Sequence, residues 1–347
     1  MAGNSNLHDS RSNKADEFYT QLTTIEDELC AYKDYFKGKT VLCNADDPFE
    51  SNFFKYFAMN FNHLGLKKLI ATCYSGSNIQ GNQLSLFDIQ PLKASQPDEK
   101  TPYKIEISHV EDYTGDGAIN LADVEWLIKN EENALSILEG DGDFRSAECL
   151  SMLDEADIVC TNPPFSLMNQ YLPLLIERGK KFLILGNINH ATYAEILPYF
   201  LNGEIWLGNH AGHFWFNVPK HYKPKKTDYR ELESGQKQRR MGNICWFTNL
   251  DTPNHHEPLD LYRKYDAEQY PKLDNYDAVF VGKTADIPID YDGLLCVPIT
   301  YLPYHCPEQF EIVGEFKHGK DGPFDLAVPY LNGKALYNRL AIKAIRS

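Results

Sequence analysis

The sequence has no Cys-x-x-Cys pair: its eight cysteines stand singly at 30, 43, 73, 149, 160, 245, 296 and 306. Such scatter excludes a disulfide frame and a zinc ribbon, and it suits free thiols packed as small core residues in a reducing cytoplasm. No apolar run reaches the roughly eighteen residues that a membrane span needs. Lys14 and Asp16 interrupt the N-terminus where a secretory signal would run apolar. Internal repeats are absent, and so is any Ser/His/Asp or Cys/His nucleophile pattern. What remains is a globular chain of 347 residues, 43% hydrophobic and 13% aromatic, enough for one large or two ordinary domains.

Positive charge is also scarce, with 34 Lys and Arg against 49 Asp and Glu and a net charge of −15. Taken whole, that balance argues against a nucleic-acid partner, because phosphate binding needs a cationic surface. The distribution of charge along the chain points the other way. Glu106 to Asp157 holds fifteen carboxylates against Lys129 and Arg145, a local −13. From Pro219 to Met241, Lys220, Lys223, Lys225, Lys226, Arg230, Lys237, Arg239 and Arg240 face only Asp228, Glu231 and Glu233. The total hides a basic segment, whose plain alternative is a solvated loop.

Hydrophobic periodicity predicts a loose polar tail over 1–13, then a helix over Phe18–Tyr35 with Leu22, Ile25, Leu29 and Tyr32 on one face. A buried strand at Thr40–Cys43 runs into Asn44-Ala-Asp-Asp-Pro48, where Asp47 reads as a helix cap and Pro48 as the first helical residue. The next helix aligns Phe53, Phe54, Phe57, Phe61 and Leu64 and stops at Gly65; a second strand follows at Lys68–Tyr74. This β-α-β opening predicts an α/β fold built on a doubly wound sheet. Residues 75–135 read as an insertion with strands near Leu84–Ile89 and Tyr103–Val110 and a short helix from Ala122. The rhythm resumes with strands at Asp157–Thr161 and Lys181–Leu185 around a helix at Met168–Arg178. Later strands are expected at Glu204–Leu207, Phe214–Val218, Ile244–Thr248, Ala278–Val281, Leu295–Thr300, Phe310–Phe316 and Leu336–Ile342, with a short helix at Leu259–Tyr265.

One tetrapeptide carries specific chemistry. The apolar strand Asp157–Thr161 runs into Asn162-Pro163-Pro164-Phe165, at the carboxyl end where open α/β sheets bind ligands. The prolines stiffen the loop and remove two backbone donors, leaving outward carbonyls. A planar amino group such as adenine N6 can donate one hydrogen to the Asn162 side-chain oxygen and the other to the Pro163 carbonyl, with Phe165 stacked on the base. Two acceptors on one exocyclic nitrogen favour its nucleophilic form and hold it in line with an electrophile. The plain alternative is a rigid Pro-Pro turn capped by Asn.

Asn-Pro-Pro-Phe after a strand resembles the signature of amino-directed S-adenosylmethionine methyltransferases. The ordered set Glu17-Phe-Tyr-Thr20, Val41–Pro48 with Ser51-Asn-Phe-Phe, Gly140–Ser146, Thr161–Ser166, Trp246–Asn249 and Asp274–Asp277 through Asp290–Gly293 resembles the EcoRI-type adenine-specific DNA methyltransferases. The resemblance runs from about residue 14 to the end and implies a Rossmann-like methyltransferase fold with S-adenosyl-L-methionine as cofactor. It places Tyr19 and Thr20 at the cofactor's methionine end, although Gln21 stands where related enzymes carry proline. Asn44, Asp46, Asp47, Pro48 and Ser51 take the place of the glycine-rich cofactor loop, without its glycines; Asp46 or Asp47 would meet the ammonium group, unless Asp47 only caps the helix. Asp143 and Phe144 match the pair that holds the cofactor adenine by carboxylate and ring. Tyr74-Ser75 stands where an acidic residue usually holds the ribose.

The expected reaction is methylation of adenine N6 in double-stranded DNA, with the base flipped into the Asn162–Phe165 pocket. Residues 14–218 would form the catalytic domain and 219–347 a target-recognition region. Lys223, Lys225, Lys226, Arg230, Lys237, Arg239 and Arg240 would contact DNA, while the acidic segment faces away. Methylation of an RNA base or a protein glutamine, and an inert DNA-binding subunit of the same fold, are the rival readings. Asp112, Asp116 and Asp123 follow calcium-loop spacing, but Thr114 and the short Asp123 depart from it, so an Asp/Gly turn capping a helix is preferred and no metal is expected. His210, His213, His255 and His256 lack matching Cys or carboxylate spacing and read as surface or packing residues.

Overall fold

The computed structural model describes residues 19–45, 48–49, 51–73, 102–130, 134–218, 228–317, 325–337 and 339–346. Two compact units form, one from residues up to Gly186 plus Gly212–Ile244, the other from Asn187–Ala211 plus Cys245 onward. No helix among the described residues is long and apolar enough to cross a membrane.

In the first unit, β1 (Tyr19–Thr20) precedes α1 (Leu22–Leu29), and the chain then tightens into a 3-10 turn over Cys30–Phe36. The predicted helix is therefore shorter; of its expected apolar face Ile25, Leu29 and Tyr32 are fully buried and Leu22 half-buried. Next come β2 (Thr40–Cys43), α2 (Asn52–Met59), α3 (Phe61–Leu64) and β3 (Lys68–Thr72). The cap of α2 is Ser51, whose side chain accepts from the Phe54 amide at 3.4 Å, so the helix starts later than Pro48 would have it. Asp47 lies outside the described residues. Gly65 ends α3 at φ +62°, as expected of a left-handed stop.

β4 (Tyr103–Ile107), α4 (Leu121–Asn130), β5 (Leu135–Ile137), α5 (Ala147–Glu155), β6 (Ile158–Thr161), α6 (Met168–Glu177) and β7 (Lys181–Asn187) follow. The predicted strand at 84–89, the tail and Tyr74-Ser75 lie outside the described residues. Parallel pairing joins β7, β6, β2 and β3, and these strands read as continuous apolar runs because both their faces are covered. Antiparallel β4 and β5 extend the sheet beyond β3. The result is mixed α/β, a parallel centre with antiparallel flanks.

The short helix α7 (Leu197–Leu201) leads to β8 (Trp206–Asn217), β9 (Tyr229–Glu231) and β10 (Lys237–Thr248). The sequence pattern predicts two strands across Glu204–Val218; one twelve-residue strand forms, its polar middle supported by pairing with an equally long β10. Among the described residues the sheet order is β1-β8-β10-β7-β6-β2-β3-β4-β5, with β9 on β10.

The second unit carries β11 (Ala278–Phe280), β12 (Leu294–Pro298), β13 (Phe310–Phe316), β14 (Asp325–Leu326), the hairpin β15 (Tyr330–Leu331) and β16 (Lys334–Ala335), and β17 (Arg339–Ala344). Its sheet runs β11-β12-β17-β13-β14 over a core of Leu273, Ala278, Cys296, Phe316 and Ala341. The predicted helix at Leu259–Tyr265 is absent. Gln309 instead clamps the extended Leu259 backbone, accepting from its N–H at 2.7 Å and donating to its carbonyl at 2.9 Å, and Arg263 bridges to Pro288. These long-range bonds outweigh local propensity. Seven of the eight thiols are buried as expected, although Cys149 sits in α5 and Cys73 and Cys306 lie outside strands; Cys30 is exposed on a helical turn.

Candidate functional site

From β2 the chain moves outward to β3, and from β6 it moves the other way to β7, so β2 and β6 flank the point where strand order reverses. They pair in parallel, Val41 with Ile158 and Leu42 with Val159. Their following loops therefore emerge side by side, which is where open α/β sheets form a binding crevice. One loop starts at Asn44 and the other is Asn162–Phe165. The Thr161 hydroxyl donates to the Asn44 carbonyl, and the Tyr171 hydroxyl donates to the Asn44 side-chain oxygen. Asn44 and Asn162 are both buried, at 6% and 7% exposure.

Ala45 sits at φ +96°, a conformation that costs a non-glycine residue energy. The missing glycines are thus not matched by an ordinary backbone; alanine takes the left-handed turn. Pro48 follows in a turn, and Ser51 caps α2. Asp46 and Asp47 lie outside the described residues. Tyr19 and Thr20 pair with Asn217 and Phe216 in β8. The Thr20 hydroxyl oxygen is buried without a hydrogen-bond partner among the described residues, and Asn52 donates to the Thr20 carbonyl at 2.6 Å.

Asp143 and Phe144 follow Gly142, at φ +77°, where an added Cβ would lie 2.2 Å from the Cys73 carbonyl oxygen at the end of β3. Arg145 grips the Asp143 carboxylate through Nε at 2.8 Å and Nη2 at 2.6 Å, and its backbone N–H donates at 2.8 Å. That guanidinium, chiefly by hydrogen bonding, holds the carboxyl below the usual carboxylate range. Asp143 is therefore already engaged, though a carboxylate has about four lone-pair sites to share. Arg145 also donates to Gln170 at 2.9 Å, and Phe144 meets Tyr171 edge-on at 5.1 Å. Gln170 and Tyr171 are not conspicuous in the sequence, because neither belongs to a spaced motif; Arg145 lies inside the Gly140–Ser146 segment, but nothing local assigns it a partner.

One expectation for the Asn162–Phe165 loop, two outward proline carbonyls, is corrected. The Pro164 carbonyl accepts from the Leu167 N–H at 2.9 Å, closing a 3-10 turn, so it does not face outward. Phe165 opens that turn with its ring buried.

Of the expected basic residues, Arg230 lies in β9, and Lys237, Arg239 and Arg240 lie in β10; Lys223, Lys225 and Lys226 lie outside the described residues. Lys237 pairs with Glu231, and Arg239 with Tyr229. These cations are on a hairpin of the first unit, not a free loop. Arg230 lies 4.1 Å over the Trp215 ring and donates to Gln238 at 2.7 Å, and Gln238 donates to Asn217 at 2.8 Å. The hairpin is at one flank of the sheet, while the acidic stretch Glu106–Asp157 runs from β4 at the other flank to the start of β6 at its centre.

The Asp112, Asp116 and Asp123 oxygens are turned onto their own loop. Asp112 accepts from the N–H of Gly115 and Gly117 at 2.7 and 2.8 Å, and Asp116 from that of Ala118 at 2.9 Å. Asp123 accepts from Asn120 and Thr114 amides at 2.9 and 2.8 Å, which hold its carboxyl below the usual range. This is the capped turn. Among the histidines, His255 stacks on Trp206 at 5.1 Å, and His256 lies between Asp251 and Glu308 at 3.0 and 2.7 Å. A cavity of about 310 Å³ in the second unit, walled by Phe200, Trp206, His255, Leu302 and Tyr304, contains none of the candidate site residues.

Fold and crevice together define an α/β enzyme with the Asn162–Phe165 loop at the sheet's switch point. The family described as adenine-specific methyltransferase EcoRI matches residues 6–340. This chain belongs to that family, and it is a methyltransferase. It is 43% identical to the Type II methyltransferase M.EcoRI of Escherichia coli over 346 residues, 99% of this chain and 97% of that one. It is 34% identical to M.MgeORF184P of Mycoplasma genitalium (88% and 85% covered) and 34% identical to M.MpnI of Mycoplasma pneumoniae (86% and 82%), both Type II methyltransferases. No solved structure matches.

Proposed function

We propose that this enzyme methylates adenine N6 in double-stranded DNA, using S-adenosylmethionine and a target base flipped out of the duplex. The observation that carries this reading is the juxtaposition of Asn162–Phe165 with the Asn44 loop at the ends of β6 and β2. The surrounding groups suit the cofactor: a buried Thr20 hydroxyl with no partner among the described residues, an ionised Asp143 beside the Phe144 ring, and a glycine that lets that pair close on β3. Bound there, S-adenosylmethionine supplies an electrophilic sulfonium methyl.

Asn162 and Pro163 accept the two N6 hydrogens and direct the nitrogen lone pair, while Phe165 stacks on the base. An adenine inside a duplex reaches this depth only by leaving its stack. Arg230, Lys237, Arg239 and Arg240 contact phosphates from the hairpin. Residues 14–218 would carry the catalysis, with the recognition contacts beginning beyond them. Transfer of tritiated methyl to duplex DNA, followed by nucleoside analysis, tests the reading. N6-methyladenine is expected; label in RNA or peptide but not DNA would overturn it.

A further inference from the structure

We propose that Tyr171, aided by Gln170, is a positioning residue that uses the helix behind the Asn-Pro-Pro-Phe loop to hold the cofactor pocket in shape. The inference rests on the functional reading above. α6 starts at Met168, three residues after Phe165, and places Gln170 and Tyr171 in its first turn. Tyr171 is 1% exposed, and its hydroxyl donates to the side-chain oxygen of Asn44, the first residue of the loop after β2. The edge of its ring meets Phe144 at 5.1 Å and 78°. Gln170 accepts from Arg145, whose guanidinium grips Asp143. One helical turn thus touches both segments expected around the cofactor, while its own chain continues directly from the target-base loop.

Asn44 is the pivot. It is 6% exposed, its carbonyl is held by Thr161, and the next residue is the left-handed Ala45. A buried amide that loses a partner bears its desolvation penalty in full. Without the Tyr171 hydroxyl the Asn44 side chain would turn to find another donor, and the strained step at Ala45 would lose its anchor. The reacting nitrogen, held by Asn162 and Pro163, would be untouched. Cofactor affinity and turnover should therefore separate.

The test uses the full chain, with S-adenosylmethionine titrated calorimetrically and methyl transfer to duplex DNA assayed at saturating cofactor. Tyr171→Phe should bind about tenfold more weakly with kcat within about twofold of wild type. Asn44→Ala should weaken binding at least as much, and the double variant should bind no more weakly than Asn44→Ala alone, since both remove one interaction. Gln170→Ala, an exposed change that leaves folding intact, should weaken binding about two- to threefold. Unchanged affinity in Tyr171→Phe, additive losses in the double variant, or a fall in kcat alone would each overturn the proposal. Absence of saturable heat in the wild type would overturn the cofactor reading itself, before any variant is compared.

Discussion

Replacing Gly142 by alanine tests how the Asp143–Phe144 pair is held. The new Cβ would lie 2.2 Å from the Cys73 carbonyl oxygen, 3.1 Å from its carbon and 3.2 Å from Pro102 Cβ. Neither backbone can give way as a flexible side chain would. The left-handed φ of +77° adds its own penalty, roughly 1–2 kcal/mol for a residue with a Cβ, and relieving the overlap costs about 1–3 kcal/mol. About 2–5 kcal/mol is therefore expected, shared between lower stability and displacement of the pair from the end of β3. Gly140 is the internal control: it lies two residues away, and an added Cβ there meets nothing within 4 Å. Urea unfolding and S-adenosylmethionine titration should show Gly142→Ala losing stability, cofactor affinity or both, with Gly140→Ala within about 0.5 kcal/mol of wild type. If Gly142→Ala matched wild type in both measurements, the close approach of these two segments would be wrong.

Asn162→Ala should lower kcat by about 10²–10³ while calorimetric cofactor affinity stays the same; normal turnover would remove Asn162 from the chemistry. Reversing charge at Arg239 and Arg240 should weaken duplex binding and reduce the slope of log K against log salt by about two; an unchanged slope would place the phosphate contacts elsewhere. His256 titrates high because it donates to Asp251 and then to Glu308. A group raised in the folded state stabilises fully below its unfolded pKa of about 6.5 and loses that contribution as pH rises through the folded value. Unfolding of His256→Gln should therefore differ from wild type at pH 5.5 by under about 1 kcal/mol, an exposed pair being screened, with the gap closing by pH 9. A gap that widened with pH would refute the assignment.

The parallel centre of the sheet was legible because strands buried on both faces must be apolar throughout, as Thr40–Cys43 and Ile158–Thr161 are. The aromatic face shared by α2 and α3 and the Gly65 stop of α3 were equally plain, being matters of period and φ, although the one helix expected there breaks in two at Asn60. The Asn162–Phe165 segment stood out because its four residues are contiguous and follow a buried strand. Less legible was anything decided by pairing at a distance. β8 reads as two strands until β10 is known to run beside its polar middle, and Leu259–Tyr265 reads as a helix until Gln309 occupies its backbone.

By itself, then, the order of residues determined the strands that can be buried, the Asn-Pro-Pro-Phe loop that follows one of them and the sign of charge along the chain. Tertiary structure decided which loops meet. It brought Asn44 against Tyr171 across 127 positions, set Arg145 between Asp143 and Gln170, and placed Arg230, Lys237, Arg239 and Arg240 on a paired hairpin. The physical reason is that local pattern reports each residue's exposure and backbone preference, whereas a hydrogen bond between distant side chains exists only once the sheet has chosen its strand order.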